Sequence, residues 1–315
     1  MATTQPSANT TEHGGRGLLD RRLVFLLGKG GVGRSTLAAA LGLVAARRGQ
    51  RAIVVEVSGR GDVARIFDRP PTTGVETELA EGLWTLDVEP RQALEEYLHD
   101  QIPLRLLADV IGSSATFGYV AAATPGLREL LTIGKIWELA QPRRRTRGAE
   151  PYDVVIVDAP ATGHGLALLE SPRTFANAAA VGPIARQGRL IAATLRDRSV
   201  TALVGVTTAH QAAVDELLEV RAALGELDAV FVNAVAADRF SAADAAALRS
   251  AGEQPALAPA TRHALTTAIA AQSRAHAQRL QLARVQARIV LPLIAAPQIS
   301  VTELEALADG LVAAA

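Results

Sequence analysis

The sequence predicts an α/β fold with a doubly wound, mostly parallel sheet, and three observations predict it. Short apolar runs alternate with helix-period segments, the pattern of βαβ units. Those runs are continuous Val, Leu and Ile rather than strict alternation, as strands covered by helices on both faces require. A glycine-rich turn follows the first run and opens a helix at once.

Taken in order, residues 1–20 are polar and rich in Gly, Ser and Thr, which predicts a disordered tail ahead of a single domain over 21–315. A strand over 23–27 leads into a helix over 35–48 that Gly49 closes, and a strand follows over 52–57. From about 90 to 141 the alternation stops. Ile102, Leu106, Asp109 and Val110, then Leu127, Leu130, Leu131 and Trp137, are spaced for helices, so this stretch reads as a helical insertion. A basic loop at 142–148, with Arg143, Arg144, Arg145 and Arg147, reads as a solvated surface loop. The strand over 154–158 precedes a second helical insertion at about 171–198. Strands over 202–207, 229–235 and 289–293 complete the sheet, with a helix over 211–224 closed by Gly225 and another from 302 onward.

Composition excludes several function classes. The 315 residues carry 32 basic and 32 acidic side chains, so no whole-molecule field draws the chain to nucleic acid. Zero cysteines rule out a thiolate zinc site, an iron–sulfur cluster and a cysteine nucleophile. Neither an apolar leader at the N-terminus nor a run of about 18 apolar residues is present, so a cytoplasmic protein without a transmembrane segment is expected. Aromatics are only 3%, which leaves Ala, Val, Leu and Ile to build the core.

The chemistry concentrates in Gly28-Lys29-Gly30-Gly31-Val32-Gly33-Arg34-Ser35-Thr36. Its glycines allow a turn whose N–H groups face a phosphate chain, and the helix that follows adds partial positive charge. First glycine, last glycine and hydroxyl stand at P-loop spacing, so phosphate binding is predicted, with the Ser35 hydroxyl directed at Mg²⁺. The position before Ser35, normally lysine, is Arg34, and arginine is a planar fork rather than a point charge. Only two of the 32 basic residues are lysine, Lys29 and Lys135, so a lysine inside this loop reads as functional.

A loop with an extra lysine after its first glycine resembles the deviant Walker A of the family containing MinD, ParA and the arsenical-pump and tail-anchored-protein-targeting ATPases. The stretch Tyr152-Asp153-Val154-Val155-Ile156-Val157-Asp158-Ala159-Pro160-Ala161-Thr162-Gly163-His164-Gly165 resembles switch II of the arsenical-pump and targeting branch. Weaker echoes lie around Trp84 and Pro90, in Pro125-Gly126-Leu127-Arg128-Glu129-Leu130 and in Gly134-Lys135-Ile136-Trp137. The resemblance implies an ATP- and Mg²⁺-dependent ATPase that works as a dimer. By the same resemblance, Lys29 is the signature lysine that reaches the partner's nucleotide, and Asp158 orients Mg²⁺. Gly163 and His164 sense the γ-phosphate, and Asn233 reads the adenine edge.

One further departure concerns hydrolysis. Where these ATPases place a water-positioning aspartate after the second strand, this chain reads Glu56-Val57-Ser58-Gly59-Arg60-Gly61-Asp62, with Ser58 at that position. A serine hydroxyl does not accept a proton as a carboxylate does, and loss of a positioned base costs about 10²–10⁴ in rate. Glu56 or Asp62 is a candidate substitute. The structural alternatives are Glu56 as a partner of Ser35 or Lys29 and Asp62 as the N-cap of a helix over 63–67. Without cysteines the chain shares neither the metalloid site of the pump ATPases nor the dimer zinc of the targeting ATPases, and its sole methionine is Met1. Three readings follow: a slow dimeric ATPase acting on a protein or membrane-related client, a weakly catalytic subunit of a heterodimer with a paralogue, or a ParA-like positioning ATPase.

Overall fold

The computed structural model describes residues 17–57, 59–101, 126–146, 148–178, 183–254, 257–286 and 288–312. Ser58, Ile102, Leu106, Asp109, Val110, Pro125, Arg147 and most of the predicted tail lie outside the described residues. An eight-stranded sheet forms the centre, in the order β3-β4-β2-β5-β1-β6-β7-β8. Its strands are β1 (Leu23–Leu27), β2 (Ala52–Glu56), β3 (Thr77–Ala80), β4 (Leu83–Asp87), β5 (Val154–Asp158), β6 (Thr201–Thr208), β7 (Ala229–Val235) and β8 (Arg288–Pro292). All neighbours are parallel except the β3–β4 pair, so the predicted doubly wound α/β fold is what the chain adopts.

The helices are α1 (Arg34–Arg47), α2 (Asp62–Ile66), α3 (Pro90–Gln101), α4 (Leu127–Leu139), α5 (Thr162–Ala178), α6 (Pro183–Arg196), α7 (Gln211–Leu224), α8 (Ala242–Gly252), α9 (Pro259–Leu282) and α10 (Val301–Leu311). Among the described residues no helix is long and apolar enough to cross a membrane. Alternate residues of β1 serve two cores: Val24 and Leu26 pack with α1 and α10 on one face, while Leu23, Phe25 and Leu27 pack with Ile133, Ile136 and Leu168 on the other. Covered on both faces, the strand is apolar at every position. Helix α1 carries five alanines and a glycine among its 14 residues and sits close to the sheet. A Cβ on its Gly42 would lie 2.8 Å from Leu83 Cδ1 and 2.9 Å from Val54 Cγ2.

Most predicted strands and helices agree with the structure to within one or two residues at each end, the usual uncertainty of helix and strand limits. Two strands were not anticipated. β3 is a short antiparallel edge strand, joined to β4 by the two-residue turn Glu81-Gly82, in which Gly82 has φ +79°. The beginning of the second predicted insertion, residue 171, falls inside α5 rather than at an element boundary. Pro172 lacks the N–H that a helix residue donates four residues back, and the Ser171 hydroxyl supplies a bond to the Leu168 carbonyl at 3.0 Å.

The basic loop corrects the solvated reading. Arg143 is exposed, but the Arg144 side chain is 1% exposed and pairs with Glu76 at 2.6 Å and Glu138 at 2.9 Å. Tyr152 donates its hydroxyl to Glu76 at 2.7 Å, and Arg51 stacks 3.8 Å over the Trp84 ring. Arg144 and Tyr152 hold the Glu76 carboxyl below its ordinary value even though burial opposes them. The loop is thus an anchor between β3, α4 and β5.

Candidate functional site

The loop between β1 and α1 leaves the strand against its neighbour. A Cβ on Gly28 would fall 2.0 Å from the Val206 carbonyl oxygen of β6, so only glycine fits. At the other end Gly33 has φ +89°, and a Cβ there would lie 2.1 Å from Asn233 Nδ2. Asn233 donates that amide to the Val32 carbonyl at 2.9 Å and so braces the loop from the end of β7. Gly30 and Gly31 are exposed, and Val32 is buried beneath them. Intrahelical bonding begins with Leu37 N–H to the Gly33 carbonyl at 3.0 Å, so the first-turn amides that precede it, up to Thr36, form the free positive end of α1.

Two side chains from that first turn converge on the tip of β5. The Ser35 hydroxyl donates to Asp158 Oδ2 at 2.5 Å, and Arg34 Nε donates to Asp158 Oδ1 at 3.1 Å. The rest of the Arg34 guanidinium turns back along the loop, donating to the Gly28 carbonyl and, at 3.4 Å, to that of Lys29. Asp158 is 4% exposed; burial pushes its carboxyl above the ordinary value, while the Ser35 hydroxyl and the Arg34 charge pull the other way. Lys29 points outward, with Nζ 3.3 Å from Glu216 Oε2 on α7.

Glu56 and Asp87 stand level with Asp158, because the register pairs Glu56 with Asp158 on one side and with Asp87 on the other. Their hydrogen-bond partners lie outside the Gly28–Thr36 loop. Glu56 accepts the N–H groups of Asp62 at 2.8 Å and Val63 at 3.2 Å, which makes it the cap of α2 rather than a partner of Ser35 or Lys29. Burial raises its pKa to about 7, with the Asp87 and Asp158 charges adding to the rise. Asp62 is not the N-cap; Gly61 is, in the left-handed region, and Asp62 opens the helix beside Arg65 at 3.1 Å. Asp87 accepts from the Gly59 N–H at 3.1 Å. Gly163 and His164 are exposed on the first turn of α5.

The structure therefore gathers Gly28, Lys29, Arg34, Ser35, Asp158 and Asn233 around one loop and puts Glu56 and Asp62 at the neighbouring one. Among the described residues no group of three or more His, Cys, Asp or Glu could hold a metal ion; Ser35 and Asp158 form a hydroxyl–carboxylate pair beside the loop. Sequence reasoning missed Asp87, Thr162 and Glu216. Asp87 closes a run, Leu83-Trp84-Thr85-Leu86-Asp87, that could have been read as a strand; Glu216 is one of several acids on α7 and carries no sequence signal.

Residues 21–238 match the family described as anion-transporting ATPase. ATPase BagA of Mycobacterium tuberculosis is 32% identical over 213 residues, which is 66% of this chain and 62% of that protein. ATPase ASNA1 homolog 1 of Paramecium tetraurelia is 25% identical over 158 residues, 47% of this chain and 43% of the relative. A protein of Aquifex aeolicus named for an arsenical pump-driving ATPase is 26% identical over 160 residues, 48% and 38% of the two chains. The chain thus spans 62% of the length of the mycobacterial relative. With the glycine loop, the Asp158 strand tip and the switch-like stretch all inside the matched residues, the chain belongs to the anion-transporting ATPase family.

Proposed function

We propose that residues 21–315 form one nucleotide-binding domain, with helical insertions at about 90–141 and 171–198, that binds ATP with Mg²⁺ at Gly28–Thr36 and hydrolyses it slowly as a dimer. The observation that carries this reading is the 2.5 Å bond from Ser35 to Asp158, which joins the end of the glycine loop to the tip of the adjacent strand. The fit to a phosphate chain rests on Gly28 and Gly33, whose positions admit no side chain, and on the free amides at the head of α1. Ser35 and Asp158 are hard oxygen donors of the kind Mg²⁺ takes, Ser35 directly and Asp158 through water. Bound there, the ion supplies charge neutralisation at the phosphates. The chain's own part is to hold the phosphates by backbone amides, to add the charges of Lys29 and Arg34, and to present Gly163 and His164 from α5. Asn233, at the β7 end, faces the loop from the side assigned to the adenine. The dimer takes Lys29 of each chain to the other's nucleotide, and its changes of shape act on a protein or membrane-related client in the cytoplasm.

A second reading, a weakly catalytic subunit paired with a paralogous ATPase, draws support from Arg34. Its Nε is committed to Asp158 and its NH1 to loop carbonyls, so its charge is spent inside the loop. Turnover and nucleotide affinity of the wild type, Arg34→Lys and Ser58→Asp separate the two. The ATPase reading expects measurable phosphate release from the wild type that Ser58→Asp raises; absent turnover in all three, with ATP still bound, leaves the subunit reading. Calorimetry without any heat of ATP uptake overturns both.

A further inference from the structure

Glu216 lies at an intersection that the nucleotide site itself does not account for. It sits on α7, and its two carboxylate oxygens hold different elements. Oε2 is 3.3 Å from Lys29 Nζ in the glycine loop. Oε1 accepts the hydroxyl of Thr162, the first residue of α5 and part of the switch-like stretch. Thr162 is 8% exposed, Glu216 keeps 23% side-chain exposure and Lys29 45%. The hydroxyl bond is therefore the sheltered half of the arrangement and the ion pair the wet half. A charge-assisted bond in a sheltered place is strong, whereas an exposed ion pair is weak and readily exchanged.

We propose that Glu216 is a positioning residue that ties Lys29 to the head of α5 within one chain, so that movement of α5 and release of the lysine are one event. The proposal deepens the dimer reading and rests on it: a lysine that must reach a second chain's nucleotide is held at home by a carboxylate that also reads the position of Thr162. Since the sheltered bond is the stronger, α5 sets where the carboxylate lies, and Lys29 follows. A shift at the head of α5 that withdraws the Thr162 hydroxyl lets Glu216 swing and loosens its hold on Lys29.

Replacement by alanine and by glutamine separates the two halves. Glutamine keeps an oxygen for Thr162 and removes the charge that Lys29 meets; alanine removes both. Hydrogen exchange on the ligand-free full chain is the first readout. Glu216→Ala should raise exchange over residues 161–166 roughly tenfold, the loss of one charge-assisted bond, and Glu216→Gln, which keeps a neutral bond, should raise it by only about threefold. Equal exchange in wild type and Glu216→Ala, or equal increases in both variants, overturns the tie. If Glu216→Ala fails to fold, Thr162→Val removes the same bond from the other end and is judged by the same criterion. The second readout is self-association by sedimentation with Mg²⁺ and a slowly hydrolysed ATP analogue. Glu216→Gln frees Lys29 and should lower the midpoint concentration about 2- to 5-fold, the range for an exposed ion pair; weaker association than wild type overturns the proposal. A wild type that stays monomeric with nucleotide sinks the dimer reading alone, because the exchange experiment is made on the ligand-free chain.

Discussion

Replacing Arg34 with alanine tests whether this unusual residue is what keeps Asp158 charged at the tip of β5. In the native chain Arg34 Nε lies 3.1 Å from Asp158 Oδ1, and the two side chains are 13% and 4% exposed. Alanine leaves the carboxylate with the Ser35 hydroxyl alone. Stripping one member from a buried pair costs about 3–5 kcal/mol, but a carboxylate can escape by taking a proton. From the ordinary aspartate value of 3.8, staying protonated costs about 1.4 kcal/mol per pH unit, so the escape caps the electrostatic loss at about 4 kcal/mol at pH 7 and about 1.6 at pH 5. The sign follows from proton counting. Burial already raises Asp158 in the native state, so the folded chain holds a proton that the unfolded chain gives up, and stability falls as pH rises above the ordinary value. Arg34 limits that fall by pulling the carboxyl down, and its loss extends the fall upward in pH. Arg34→Ala should therefore lose up to about 4 kcal/mol relative to wild type at pH 7, less the part that burial already costs the native carboxyl, and less than half as much at pH 5, and Arg34→Ala with Asp158→Asn should recover most of the pH 7 loss. Urea unfolding followed by circular dichroism at the two pH values, at constant slope with denaturant, measures it. A loss equal at both pH values, or no recovery in the double variant, refutes the reasoning.

Glu56 titrates near pH 7 when folded and 4.5 when unfolded, so its burial makes the native state less stable as pH rises between those values; Glu56→Gln should flatten that slope and gain about 1–3 kcal/mol at pH 8, with no gain at pH 4.5, in calorimetric unfolding. Gly33→Ala forces a left-handed alanine against the Asn233 amide and should lower ATP affinity at least tenfold by titration calorimetry. Gly49→Ala has a similar φ of +78° but no heavy atom within 4 Å, so it should cost about 1–2 kcal/mol of stability and leave affinity unchanged. Tyr152→Phe deletes the hydroxyl on Glu76 and should lower stability by about 1–2 kcal/mol, a loss of a few degrees in Tm.

How much was legible depended on whether the signal was local. Strands β1 and β5 were readable to the residue because strands buried on both faces must be almost continuously apolar, and β7 because the helix before it ends at Gly225 and its first four residues form an apolar run. The glycine loop was readable for the same reason: φ angles of +81° and +89° at Gly31 and Gly33 demand a residue type that the sequence displays. The edge hairpin was not, since β3 has four residues, only one of them buried, and no apolar run marks it. Nor was the basic loop, because arginines read as solvated charge until Glu76, Glu138 and the Tyr152 and Trp137 rings are brought to them by the fold. Glu216 and Glu56 belong to this second class. Their roles are set by which N–H, hydroxyl or ammonium lies opposite, 6 to more than 180 residues away in sequence.

The register of the sheet explains why these long-range partners fall in one place. Asp87, Glu56 and Asp158 end three adjacent parallel strands at the same level, and each carboxylate takes a different partner: Gly59 N–H for Asp87, the head of α2 for Glu56, Ser35 and Arg34 for Asp158. Three carboxylates side by side repel, which is part of why burial and neighbours push Glu56 up to about 7. The arrangement holds because each acid meets hydrogen-bond donors from outside the sheet. Two of them hold Gly59 and the head of α2, and the third holds the glycine loop. Since the three strands form one rigid ladder, a change at Asp158 is felt electrostatically at Glu56, and a change at Glu56 alters the cap of α2. Arg34 is a cation that contacts that row directly, at Asp158, so its exchange for the usual lysine changes the balance of the whole row as well as the phosphate cradle.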